Sequence, residues 1–198
     1  MNKTSPRPVS VVAICGSLRS GSTTHAALRI ALSGAEAAGA EVALLDLREH
    51  DLVFQGSVSQ ESDYPPGVFA LREKVRNADG ILLGSPEYHG SFSGVLKSAL
   101  DLMGFDEFEG KVIGLVGVSG GRMGARSALS MLRAVGTALR AWVVPTDASI
   151  PNASDAFDAE GNLQDTELTE RLTAVGEQVT RFALLQRSAR ERSEAHKE

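Results

Sequence analysis

A single cysteine in 198 residues leaves no intrachain disulfide to form. The four histidines, at 25, 50, 89 and 196, lie far apart in the chain, so no Cys/His cluster has metal-ligand spacing and no metal is expected. No apolar stretch is long enough to cross a bilayer, and the opening MNKTSPRPVS lacks the apolar core of a secretion signal. Neither sign of charge dominates: the formal net charge is -5, which argues against a partner held by phosphate neutralisation. These absences exclude nucleic acid and membrane as partners and point to a cytoplasmic protein. With 42% hydrophobic and 23% charged residues the composition is that of an ordinary globular domain, and the length suits one.

Short apolar runs alternate with longer helical ones. VSVVAIC (9–15) is continuously apolar, as a strand buried on both faces should be. A helix is expected over THAALRIALSGAEAAG, closing near Gly39, then a strand over EVALLD (41–46). Residues 66–78 read as a helix, 80–85 as a strand, 91–103 as a helix, 111–119 as a strand and 125–139 as a helix. AWVVP (141–145) reads as a fifth strand stopped by Pro145. Leu168, Leu172, Val175, Val179 and Phe182 then recur at helical spacing over about 166–186. Five strands each followed by a helix describe an α/β fold with a parallel sheet. The expected division is a tail at 1–8, one domain at 9–186 and a charged, solvated tail at 187–198. The connections 47–65 and 146–164 are long enough to be walls of a site.

The stretch CGSLRSGSTTHAAL (15–28) crowds Ser17, Ser20, Ser22, Thr23 and Thr24 where a helix should begin. One hydroxyl suffices to cap a helix; five exceed that need. A helix start presents unpaired N–H groups and partial positive charge, and Arg19 adds a cation, so the turn suits an anion. Gly16 and Gly21 do not fit the G-x-G-x-x-G spacing of a dinucleotide loop, and Asp46 reads as a strand-end cap rather than a ribose ligand. Lys111 follows Gly110, but Val112 stands where a Walker loop needs Ser or Thr. The remaining possibility is a cup for a terminal phosphate monoester, which suits a mononucleotide.

Two further loops leave strands. In GSPEYHGSFSGVLKSALD (84–101), Pro86 and Gly90 shape a turn, Tyr88 offers an aromatic face, and backbone N–H groups of 87–90 suit a heteroaromatic ring. In GVSGGRMGARSAL (117–129), glycines free the backbone to approach a flat ligand, and Arg122 or Arg126 suits a cofactor phosphate. GVSGG also matches the G-x-S-x-G nucleophile elbow of serine hydrolases. A hydrolase needs a later histidine, and only His196 follows, in the charged tail; Ser119 is therefore the weaker reading.

These loops together resemble the NADPH-dependent FMN reductase family, whose members include quinone, azo-dye and chromate reductases. GSLRSGSTT is similar to the family's G-S-x-R-x-x-S-x-N, with Thr24 in place of Asn. PEYHGSFSGVLKSALD is similar to P-E-Y-N-x-x-x-x-G-x-L-K-x-A-L-D, with His89 in place of Asn. The resemblance implies a flavodoxin-like three-layer sandwich with sheet order 2-1-3-4-5. It implies that Ser17, Arg19, Ser22, Thr23 and Thr24 hold the FMN phosphate. Pro86, Glu87, Tyr88, His89 and Gly90 would line the isoalloxazine, and Ser119, Gly120 and Gly121 its pyrimidine side. NADPH or NADH would be the electron donor in a ping-pong reaction centred on the flavin, with no obligatory general base. The acceptor would be a quinone, azo compound, metal oxyanion or free flavin. The family pattern also implies a homodimer or homotetramer through the 91–103 helix, where Lys97 and Asp101 stand four apart, able to pair across a twofold axis or within the helix. An electron shuttle that holds FMN without oxidising NADPH is the alternative. Shuttles usually sandwich the ring between aromatics, and Tyr88 is the sole Phe, Tyr or Trp among the residues implied to line the ring.

Overall fold

The computed structural model describes residues 7–195. Its sheet is built from β1 (Val9–Cys15), β2 (Ala40–Asp46), β3 (Gly80–Tyr88), β4 (Ser91–Phe92), β5 (Val112–Val118) and β6 (Trp142–Ile150). The helices are α1 (Thr23–Ala37), α2 (Pro66–Asn77), α3 (Gly94–Asp101), α4 (Phe105–Phe108), α5 (Arg126–Ala138), α6 (Ala153–Ala156) and α7 (Thr166–Ala195). Five strands run parallel in the order β2-β1-β3-β5-β6, the expected 2-1-3-4-5 once the short β4 is set aside; β4 pairs antiparallel with β3. This is the flavodoxin-like arrangement.

Alternation along the strands splits the core between the two faces. Val11, Ala13, Cys15, Leu82 and Val116 meet α1 and α7, while Val12, Ile14, Ile81, Leu83, Ile113 and Leu115 meet α2, α3 and α5. The central strands read as unbroken apolar runs because both faces are covered. Helices α1 and α7 touch backbone to backbone: a Cβ at Gly176 would lie 1.8 Å from the Ala31 carbonyl oxygen, and one at Gly34 would lie 2.2 Å from that of Thr173. Any side chain at either position would separate the helices.

Three elements differ from the expectations above. First, β3 runs to Tyr88 and turns back into β4 through His89 and Gly90, at φ 51° and 76°. A two-residue turn with both φ positive suits the right-handed twist of a hairpin, and histidine is among the side chains that tolerate it. Second, β6 passes Pro145 and reaches Ile150, with the register against β5 shifting between Ile113 and Leu115. Only one side of this edge strand is paired, so a residue without an N–H fits at the irregularity. Third, α7 continues through 187–195. Arg187 donates to Asp79 (3.2 Å) and to the carbonyls of Pro8 and Arg7, and Arg190 donates to that of Glu109 (3.1 Å). These contacts anchor a helix that its own apolar spacing would not carry so far. His196 lies outside the described residues.

Candidate functional site

The carboxyl ends of β1 and β3 meet through backbone and hydroxyl bonds. Gly16 N–H donates to the Gly84 carbonyl (2.8 Å), and the Ser93 hydroxyl donates to the Gly16 carbonyl (2.5 Å). Ser93 also accepts from Leu96 N–H as N-cap of α3, while its own N–H donates to the Ser85 hydroxyl at 2.9 Å. One buried serine thus ties the loop after β1 to the start of α3. Ser22 is the N-cap of α1, accepting from His25 N–H at 3.3 Å.

A cleft of about 290 Å³ opens over this junction. Ser17, Arg19, Ser20, Gly21, Ser22, Thr23 and Thr24 line one part; Pro86, Glu87, Tyr88, Val118, Gly120, Ala153 and Ser154 line the rest. Of the thirteen residues singled out from sequence, nine therefore face one cavity. His89 and Gly90 form the exposed hairpin turn instead, and Ser119 and Gly121 do not line the cleft. Ala153 and Ser154, brought in by α6, were not expected. No local signal marks them, because they reach the cleft only through the left-handed Asn152 (φ 45°) after β6.

The cup's electrostatics come from what is left unpaired. Among the described residues Arg19 has no ion-pair partner, although it stands before the N-terminus of a fifteen-residue helix whose first turn carries no acidic side chain. Free cation, helix N–H groups and hydroxyls form a donor set that fits a phosphate dianion.

Glu87 lines the cleft and also braces a neighbouring helix. Its carboxylate accepts from Ala128 N–H (3.0 Å) in the first turn of α5. The N-cap position of that helix is Ala125, whose methyl side chain cannot cap it, and Ala125 N–H is taken by the Ser149 hydroxyl at 2.8 Å. Side chains from β3 and β6 therefore hold the start of α5 on either side of the 119–125 loop. Three walls of the cleft are locked together, and Glu87 lines the cleft while its carboxylate is engaged by α5.

Ser119 lacks the makings of a nucleophile. It is not among the described residues of positive φ, α5 starts only at Arg126, and the Ser119 hydroxyl accepts from Gly121 N–H at 3.1 Å. A nucleophile elbow is a strained turn leading straight into its helix. Burial pushes the Cys15 thiol above its ordinary value, so it is a packed core group rather than a reactive one. Asp46 closes β2 by accepting from the N–H and guanidinium of Arg48, whose hydrogen bonds hold its carboxyl below the usual range. Lys97 pairs with Asp101 inside α3, at 2.7 Å. Among the described residues no cluster of His, Cys, Asp and Glu is placed to hold a metal, and no helix is long and apolar enough to cross a membrane.

Fold and cleft define a flavodoxin-like α/β protein with an anion cup at the carboxyl ends of its first and third strands. The family model of the NADPH-dependent FMN reductases matches residues 9–155, and the chain belongs to that family. An FMN-dependent NADPH-azoreductase of Staphylococcus aureus (strain USA300) is 33% identical over 174 residues, which cover 85% of this chain and 92% of the relative. Among solved structures, FerB, a flavoenzyme NAD(P)H:(acceptor) oxidoreductase from Paracoccus denitrificans, superposes with a TM-score of 0.70 at 23% identity, covering 90% of this chain and 98% of FerB. The apo form of an NADH:FMN oxidoreductase (EMOB) also gives 0.70, at 21% identity, covering 87% and 88% of the two chains. These two structures share the fold. The protein is an oxidoreductase with FMN as its cofactor and NAD(P)H as its electron donor.

Proposed function

We propose that this chain passes two electrons from NAD(P)H to a small-molecule acceptor by a ping-pong reaction, in the cytoplasm, with azo compounds and quinones foremost among the acceptors and metal oxyanions or free flavin as further ones. The observation that carries this reading is the unpaired Arg19 beside the hydroxyl-rich start of α1. FMN, when bound, would supply the two-electron redox chemistry between nicotinamide and acceptor. What the protein contributes is position. Arg19, Ser17, Ser22, Thr23 and Thr24 hold the phosphate, and no neighbouring carboxylate competes for Arg19. Pro86, Glu87 and Tyr88 present the edge of β3 to the ring system, and Gly120 leaves room at the opposite side: a Cβ there would meet nothing within 4 Å. His89, Gly90, Ser119 and Gly121, on the turns that flank the cleft, complete the proposed ring site. Tyr88, 47% exposed, covers one side while leaving the ring open to donor and acceptor in turn.

The proposed assembly is a homodimer or homotetramer through the 91–103 segment. Lys97 and Asp101 satisfy each other within α3, so the helix contributes its remaining exposed surface to such a contact. An electron shuttle is the competing function. Mixing the FMN-loaded protein anaerobically with NADPH or NADH separates the two: flavin absorbance is expected to bleach within seconds, whereas no bleaching with either nicotinamide identifies a shuttle.

A further inference from the structure

We propose that Arg122 and Arg126, on the wall of the cleft that carries Gly120, take the 2′-phosphate of the electron donor, with Met123 against its adenine, so that the protein selects NADPH over NADH. This deepens the function proposed above and rests on it, since a flavin in the cleft is what brings a nicotinamide donor to this wall. Most arginines of the chain are engaged by a carboxylate, a carbonyl or an aromatic ring. Among the described residues only Arg19, Arg29, Arg122 and Arg126 have no such partner for the guanidinium. Arg19 lines the phosphate cup and Arg29 lies on α1, which leaves Arg122 and Arg126 as the unpaired cations of the ring side. Arg126 destabilises the place where it stands. It is the first residue of α5, and a cation at the positive end of a helix is disfavoured. No acidic side chain offsets it in that first turn, and Glu87, which accepts from Ala128 N–H, makes no ion pair with either arginine. An anion from outside the chain would relieve this.

The backbone that carries the pair is fixed, while its side chains are not. Ser119 N–H donates to the Ile150 carbonyl (2.8 Å), the Ser119 carbonyl accepts from Ala153 N–H (3.0 Å), and the Gly121 carbonyl accepts from Asn152 N–H (3.2 Å). Gly124, at φ 69°, lies so near Ser149 that a Cβ on it would stand 2.4 Å from the hydroxyl oxygen. Between these anchors Arg122 and Met123 are exposed, and Met123, at 87%, is the most exposed large apolar side chain among the described residues. Two guanidinium forks match the oxygens of a phosphate monoester. A thioether with its methylenes suits the face of a purine. NADPH carries both groups on one ribose, whereas NADH has a hydroxyl in place of that phosphate. Position agrees with chemistry. Gly120 lines the cleft and Arg122 follows two residues later, at most about 7 Å along the chain. Ala128, two residues after Arg126, is bonded to Glu87, another residue of the cleft. The opposite wall, PEYHGSF (86–92), holds neither arginine nor lysine. A donor whose nicotinamide lies over the proposed ring site therefore finds its cations on the α5 side.

The test uses the FMN-loaded protein and reads binding before turnover. Adenosine 2′,5′-bisphosphate and adenosine 5′-monophosphate differ only by the 2′-phosphate. Calorimetric titration is expected to show the bisphosphate bound roughly tenfold more tightly, the scale of a hydrogen bond to a charged group. In the double variant Arg122→Ala/Arg126→Ala that preference vanishes, and in Arg122→Lys/Arg126→Lys, which keeps the charge without the fork, part of it returns. Anaerobic stopped-flow measurement of flavin reduction should then show NADPH weakened about ten- to a hundredfold by the alanine pair, with NADH within about threefold of the parent. Neither side chain bonds within the chain, so the melting temperature and FMN affinity should stay at the parent values. A parent with no preference for the bisphosphate overturns the proposal, and so does a preference that survives the alanine pair or an equal loss for NADPH and NADH. A variant whose one defect is a raised KM for a sulfonated azo dye also overturns it, by giving the arginines to the acceptor. Absence of flavin absorbance after loading would strike the function proposed above instead. The fragment comparison on the unloaded Arg19→Ala chain, whose cup no longer competes for phosphate, would still decide whether the pair reads a 2′-phosphate.

Discussion

The two ends of the sheet both carry ion pairs, but only the carboxyl end leaves a cation unspent beside an open cleft. At the amino ends of the strands every prominent ionic group is spent. Asp79, just before β3, accepts from Arg7, Arg187 and the backbone of Ser10. Glu107, fully buried before β5, accepts from Arg72, Arg76 and Gly104 N–H, and the Lys111 ammonium donates to the carbonyls of Val75 and Arg76 that end α2. At the carboxyl ends Asp46 and Arg48 pair after β2, but among the described residues Arg19 has no ion-pair partner, the start of α1 carries no acid, and hydroxyls crowd an open cleft. Charge that is satisfied holds the chain together; charge left unsatisfied is available to a ligand. The difference teaches that stability and binding are supplied by opposite ends of one sheet, and that substitutions should separate accordingly.

The largest expected effect breaks the satisfied end. Glu107→Ala strips three donors of their acceptor and leaves Arg72, mostly buried, short of a partner; urea denaturation should show a loss of about 3 kcal/mol. FMN affinity of the molecules that remain folded should be unchanged, and a parallel loss of both would abolish the distinction between the ends. Next, Arg19→Ala should weaken FMN about ten- to a hundredfold, the range of a hydrogen bond to a charged group, with the melting temperature within about a degree of the parent. Flavin fluorescence titration measures it, and riboflavin, lacking the phosphate, should bind parent and variant alike. Glu87 sharpens the comparison because it belongs to neither class: its side chain is satisfied, yet its neighbours line the cleft. Glu87→Ala should cost about 1 kcal/mol as a lost helix cap and weaken FMN severalfold, while Glu87→Gln, which keeps an acceptor for Ala128 N–H, restores most of both.

The smallest effect concerns pH. Burial holds the Lys111 ammonium at about 8, below its ordinary 10.5. Below about pH 8 folded and unfolded chains both bind this proton. Between about 8 and 10.5 the unfolded chain binds more of it, so this group's contribution to stability rises with pH across that window. Subtracting the profile of Lys111→Met from that of the parent isolates the rise; a flat difference would mean that the ammonium is not destabilised by its burial.

How legible each part was depends on the range of the interactions behind it. The central strands announce themselves because burial on both faces forces continuous apolar runs, and the cup announces itself because five hydroxyls crowd one turn. The β3–β4 hairpin was less visible: its strand is two residues long, and its signal is only a His-Gly pair. Pro145 read as a stop because nothing local tells an edge strand from a central one. The engagement of Glu87 with α5 spans 41 residues of sequence, and that of Arg187 with Asp79 spans 108. No window of sequence contains both partners of either pair.

The order and type of the main elements, the anion-seeking turn and the pairing of that turn with the PEYHG segment belong to the amino-acid sequence, since each follows from local periodicity, capping and residue chemistry. Which hydroxyls share one cleft, that Glu87 braces a helix behind it, and that, among the described residues, Arg122 and Arg126 are left without an acceptor were decided by tertiary packing. Those outcomes are set by the distance and direction between groups far apart in the chain, and only closing the sheet with its helices brings them together.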